Sequence, residues 1–66
     1  MIYRDERGWI YRVMPGLGGD TFKARYRKPD ATSWKGVAGL PWRPTRLRAQ
    51  DDLDQMARER GWEALP

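Results

Sequence analysis

The 66-residue chain predicts an α+β fold: a three- to four-stranded antiparallel sheet with one carboxy-terminal helix packed on one face. Three observations predict it. In "TFKARYRK", Thr21 to Lys28, apolar and basic residues alternate, so Phe22, Ala24 and Tyr26 face one side of a strand and Lys23, Arg25 and Arg27 the other. Ahead of it, "IYRDERGWIYRVM" holds two extended segments around a glycine. Behind it the period changes, with Ala49, Leu53, Met56 and Ala57 at i, i+4, i+7 and i+8 forming one stripe of an amphipathic helix.

The first two strands are Ile2–Arg4 and Trp9–Met14, joined by "DERG", where Gly8 can adopt the positive φ of a short hairpin loop. Pro15 cannot donate to a ladder and ends the second strand. "PGLGGD" then connects to the strand of residues 21–28, which "PDATS" ends. "WKGVAGL" reads as a further strand, weakened by Gly36 and Gly39, and Pro41 and Pro44 close the sheet region. Thr45 is placed to cap a helix running from about Arg46 to Arg60. Gly61 stands where helices commonly end in the left-handed conformation, and Trp62 after it can fold back onto Met56 and Ala57. No repeat or linker divides the chain, so residues 1–66 are read as one domain.

The helix stripe needs an apolar sheet face. Trp9, Tyr11 and Val13, then Phe22, Ala24 and Tyr26, then Trp34, Gly36 and Ala38 supply one, the small residues letting the helix sit close. The opposite face then collects Arg12, Lys23, Arg25, Arg27 and Lys35 with Ile10 and Val37, and no carboxylate.

A chain of this length buries only about 60% of the surface its unfolded form exposes. Four Trp, three Tyr and one Phe offset that, because aromatics bury roughly 150–250 Å² each. There is no Cys, which excludes a disulfide framework, a thiolate nucleophile and a Cys-ligated metal. There is no His either, the usual general base near neutral pH and the commonest zinc ligand. Hydroxyls are limited to a few Ser and Thr with no imidazole to activate them, so no enzyme, cofactor or metal is expected. The amino terminus is charged from Arg4 onward, unlike a signal peptide or a membrane span, and a cytoplasmic location without membrane contact is expected.

Charge divides unevenly along the chain. Residues 1–48 carry eleven Lys/Arg against four Asp/Glu, or +7, and residues 49–66 carry two against five, or −3, which together give the net +4. Ten of the thirteen cations are Arg, the side chain that forks onto phosphate and stacks on bases, although Arg codons also accumulate in GC-rich genomes. A face of five cations without an interleaved anion repels itself, and neutralising phosphates would relieve the repulsion. A three-stranded antiparallel sheet can lay such a face in a major groove. The same alternation also arises in any half-buried strand whose wet side carries Lys and Arg.

Three further motifs have plainer readings. "PGLGGD" matches neither the Walker nor the dinucleotide spacing and precedes a strand, so it is read as a hairpin loop. Asp51, Asp52 and Asp54 crowd the first turns of the helix, where they complement its dipole; a metal site would need further ligands. In "LPWRP", Leu40 to Pro44, Trp42 either plugs one end of the core or forms, with Arg43, an exposed ledge for a protein partner.

The segments "TFKARYRK", "SWKGVAG" and "PTRLRAQDDLDQMARERG", over residues 9–61, resemble the small amino-terminal arm-site DNA-binding domains of phage and transposon tyrosine recombinases. "GLPWRP" stands where that family has a short Gly-Phe-Thr type lead into its helix. The resemblance implies that the exposed sheet face, with Lys23, Arg25, Arg27 and Lys35, enters the major groove of DNA. The chain also resembles small free-standing bacterial proteins ending in an "AQxDLxxxAxxxGW" helix, here Ala49–Trp62, a resemblance that implies no activity. The expectation is a non-enzymatic nucleic-acid-binding domain using Arg12, Lys23, Arg25, Arg27 and Lys35, on duplex DNA ahead of structured RNA. The alternative is a protein-interaction module of a mobile element or operon partner, using Trp42 and Arg43 or the acidic helix face. A monomer is expected ahead of a dimer formed through an unpaired sheet edge.

Overall fold

Asp5 builds the first turn. Its carboxylate accepts from the backbone N–H groups of Arg7 (2.9 Å) and Trp9 (3.0 Å), while Asp5 N–H donates to Trp9 O at 3.1 Å. These bonds close the hairpin between β1, Ile2–Arg4, and β2, Ile10–Pro15, in the computed structural model, which describes all 66 residues. The same carboxylate accepts from Tyr11 Oη at 2.7 Å and from Arg7 Nε and Nη2, and Arg7 stacks its guanidinium 3.5 Å over the Trp9 ring. Asp5 is the one buried charged residue, and five hydrogen bonds account for its burial.

A second hairpin joins β2 to β3, Phe22–Arg27, through a loop in which Gly18 and Gly19 take positive φ (82° and 74°). Beyond β3 lies the two-residue β4, Lys35–Gly36. A fifth strand, β5, Glu63–Leu65, follows the helix and pairs antiparallel with β1, so the order across the sheet is β4-β3-β2-β1-β5. Five strands replace the three or four expected. No alternation marks "WEALP", and only the long-range partner at Ile2–Arg4 makes it a strand.

The helix α1 spans Arg46–Arg60, as its stripe and caps predict. Thr45 Oγ1 accepts from Arg48 N–H, and Gly61 ends the helix at φ 69° with Trp62 N–H bonded back to Ala57 O at 3.0 Å. Ala49, Leu53 and Ala57 are buried against Tyr3, Tyr11, Val13, Ala24 and Val37, and Leu53 is wholly inaccessible. Trp62 stacks on Tyr11 with 3.8 Å between ring centroids, and Trp9 stacks on Tyr26 at 5.1 Å. The aromatic floor thus extends past the end of the helix. No side chain occupies the space beside Gly61, so Gly61→Ala isolates the backbone effect. It is expected to cost about 1 kcal/mol, lowering the melting temperature by about 4–8 °C. An unchanged melt would contradict the cap.

Asp51, Asp52 and Asp54 lie beyond the first helical turn, which holds no acidic residue, and do not serve the helix dipole as expected. Two of them moor the helix instead. Asp52 holds Arg43 through a two-pronged ion pair (2.7 and 3.1 Å), and Asp54 accepts from Tyr3 Oη at 2.7 Å. No helix is long and apolar enough to cross a membrane, and no group of three or more acidic, His or Cys side chains could hold a metal ion.

Candidate nucleic-acid interface

Strand pairing sorts the side chains onto two faces. Val13 pairs with Ala24 and Tyr11 with Tyr26 on the helix side, so Arg12 and Arg25 stand opposite each other on the open side, as do Met14 and Lys23, and Ile10 and Arg27. Four of the five expected cations, Arg12, Lys23, Arg25 and Arg27, therefore share the open face. β4 departs from expectation. Tyr26 pairs with Lys35 and Arg25 with Gly36, which puts Lys35 on the helix side and Gly36 on the open side. Val37 enters the core and Ala38 is exposed, the reverse of the expected phase. A one-residue slip inverts every position of a strand, and a two-residue strand after a flexible "PDATS" loop carries too little pattern to set its own phase.

The same slip brings Trp34 onto the open face, where its ring centroid lies 5.8 Å from the Arg12 guanidinium and 5.4 Å from that of Arg27. A second indole arrives by a different route. Residues after β4 return along the edge of β3, and Phe22 and Arg43 exchange two backbone hydrogen bonds of 2.8 Å. Arg43 points to the helix and to Asp52, so its neighbour Trp42 points the other way. Trp42 is 45% exposed, and Lys23 Nζ and the Arg25 guanidinium each lie 5.5 Å from its centroid. It does not plug the core. A Cβ on Gly16 would stand 2.8 Å from the Trp42 ring, so glycine is what lets the indole lie against the β2–β3 loop. Arg43, expected beside Trp42 on a protein-docking ledge, is committed to Asp52 on the other side.

The result is a row of four cations with an indole near each end. None of the four gives a side-chain hydrogen bond or an ion pair to the protein. Arg25 Nε is the single buried side-chain polar atom in the chain without a hydrogen-bond partner. β5 does bring one carboxylate to the open face, which was expected to have none: Glu63, paired with Arg4 at 2.6 Å. Arg4 and Ile10 stand between it and Arg27 in the sheet, a distance of about 14 Å at the usual strand spacing. It neutralises Arg4 and leaves the β2–β3–β4 area positive.

Chemically this area offers donors and aromatic faces. Arg and Lys are donors without acceptor capacity, and the exposed Trp42 and the half-buried Trp34 add part of an indole surface each. Lys35, with Tyr26, Lys28, Ala31 and Ser33, lines a separate small depression of about 200 Å³. No protein-family model matches the chain, and no curated protein or solved structure matches it either.

Proposed function

We propose that the open face of the sheet binds nucleic acid, with no enzymatic step, through Arg12, Lys23, Arg25 and Arg27. The observation that carries the reading is the four cations on adjacent, hydrogen-bonded strands with no carboxylate among the open-face residues of β2, β3 and β4. Arg12 and Arg25 are direct cross-strand partners, an arrangement that costs stability when nothing neutralises it. A polyanion bound across the pair reverses that cost, and displaced counterions add a favourable entropy. The resemblance to recombinase arm-site domains points to the same face, with Lys35 no longer part of it.

Titrating labelled duplex and single-stranded oligonucleotide at two or more salt concentrations tests the reading. If all four cations meet phosphates, log K falls against log[salt] with a slope of about −3.6 on duplex, or about −2.8 on a single strand. No binding of either at low salt removes the proposal, and so does binding with a slope near zero.

A further inference from the structure

The two indoles carry the reading further. We infer that the nucleic acid taken by this face is unpaired DNA, with bases stacked on Trp34 and Trp42 and the intervening phosphates held by Arg12, Lys23, Arg25 and Arg27. This rests on the face being a nucleic-acid surface at all.

A domain this small gains most from an indole by burying it, yet two of its four Trp stand on the outward side of the sheet. They do not serve as tightly stacked supports for the cations either. Arg7 lies 3.5 Å over Trp9 in full stacking contact, whereas the four cation-to-indole distances on the open face run from 5.4 to 5.8 Å. That separation is close enough to enrich the ring's surroundings in positive charge without a guanidinium stacked in contact as Arg7 is. A duplex hides the faces of its bases inside its own stack and would meet these rings only with backbone and groove edges. An unpaired strand presents base faces, each stacking contact being sequence-tolerant, and sheets carrying two or three aromatics take up bases in this way.

The dimensions agree. Alternate side chains along a strand recur every roughly 6.8 Å, so Lys23 to Arg27 covers about 14 Å, room for a few extended nucleotides with an indole near each end. The ligand is assigned as DNA because the area between the rings holds Ile10, Arg12, Met14, Lys23, Arg25, Arg27 and Gly36. None of these side chains can accept the proton of a 2′-hydroxyl, and its oxygen could accept only from the same Arg and Lys donors that the phosphates engage, so the face gains little from the group that marks RNA.

The test measures anisotropy of labelled oligonucleotides of about 12 nucleotides, as single-stranded DNA, as the matching duplex and as single-stranded RNA, with the full chain in about 50 mM salt. Single-stranded DNA is expected to bind at least tenfold more tightly than duplex and no more weakly than RNA. Trp34→Ala and Trp42→Ala are each expected to weaken single-strand binding by about 5- to 150-fold while leaving duplex binding within a factor of two. Trp42→Phe, which keeps a ring, retains most of the affinity and remains informative if an alanine variant folds poorly. Binding of DNA strand is also expected to quench tryptophan fluorescence, and that quench to shrink in both alanine variants. Duplex bound as tightly as the strand, equal losses on both ligands, or RNA preferred tenfold overturns the inference while nucleic-acid binding stands. Binding of no nucleic acid overturns both.

Discussion

Asp5→Ala is expected to destabilise the fold by about 2–4 kcal/mol, the cost of leaving a buried hydroxyl and two backbone N–H groups without their acceptor, while the half-exposed Arg7 guanidinium keeps its water. That is a large share of the stability of so small a domain. The loss is not one ion pair. Alanine would leave the buried Tyr11 hydroxyl and the N–H groups of Arg7 and Trp9 without their acceptor, at the point where β1 turns into β2. Thermal or urea melts followed by circular dichroism measure it, and a melting point within a few degrees of the parent would contradict the role assigned here.

The pH dependence gives the same network a second signature. Burial alone would raise the Asp5 carboxyl, but the bonds from Tyr11 and Arg7 and from the backbone N–H groups outweigh it and hold the pKa below the ordinary carboxylate value. Its stabilisation is therefore present above about pH 4 and is lost as pH falls through the depressed folded value. The Tyr11 phenol is pushed up to about 12, chiefly by burial and then by its bond to Asp5. Its contribution is complete below about pH 10 and disappears as pH rises from there toward 12. The parent is expected to show both limbs, and Asp5→Ala to lose much of the acid one.

The second large effect is on binding. Lys23→Gln, Arg25→Gln and Arg27→Gln together remove three of four phosphate contacts, so the salt slope is expected to fall to about a quarter of its value. Affinity at about 50 mM salt should fall by on the order of 10²- to 10³-fold. The same variant should melt no lower than the parent in low salt, and higher if the Arg12–Arg25 juxtaposition costs what like-charged cross-strand pairs usually do. A face that is merely solvated would show no such exchange of stability for binding. Unchanged affinity in the triple variant would sink the assignment of these residues.

How much of this was legible in the chain depended on whether local pattern or distant pairing decided the outcome. β2 and β3 carry their own alternation, β1 is set off by the turn that follows it, and α1 has its own stripe and caps, so Arg12, Lys23, Arg25 and Arg27 follow from reading along the chain. Lys35 does not, because β4 takes its phase from Tyr26 rather than from its own residues. Trp42 faces outward only because Arg43 pairs with Phe22, a contact between residues far apart in sequence. Trp34 goes with Lys35: the same inverted phase carries it to the open face. Asp5 lay in a segment read simply as a glycine turn. The signal there was an Asp two residues ahead of the N–H it caps, the ordinary side-chain turn mimic.

β1 lies between an early neighbour and a late one. Its pairing with β2 involves residues a few positions away, but Ile2, Tyr3 and Arg4 find their second partners at Leu65, Ala64 and Glu63. On a ribosome adding about 5–20 residues per second, roughly 3–12 s separate synthesis of Arg4 from synthesis of Glu63. Until then one flank of β1 carries unpaired amides and carbonyls, a template for any other extended chain nearby. β5 is therefore the seal on β1, and the newborn polypeptide is most open to misassociation while that seal is missing.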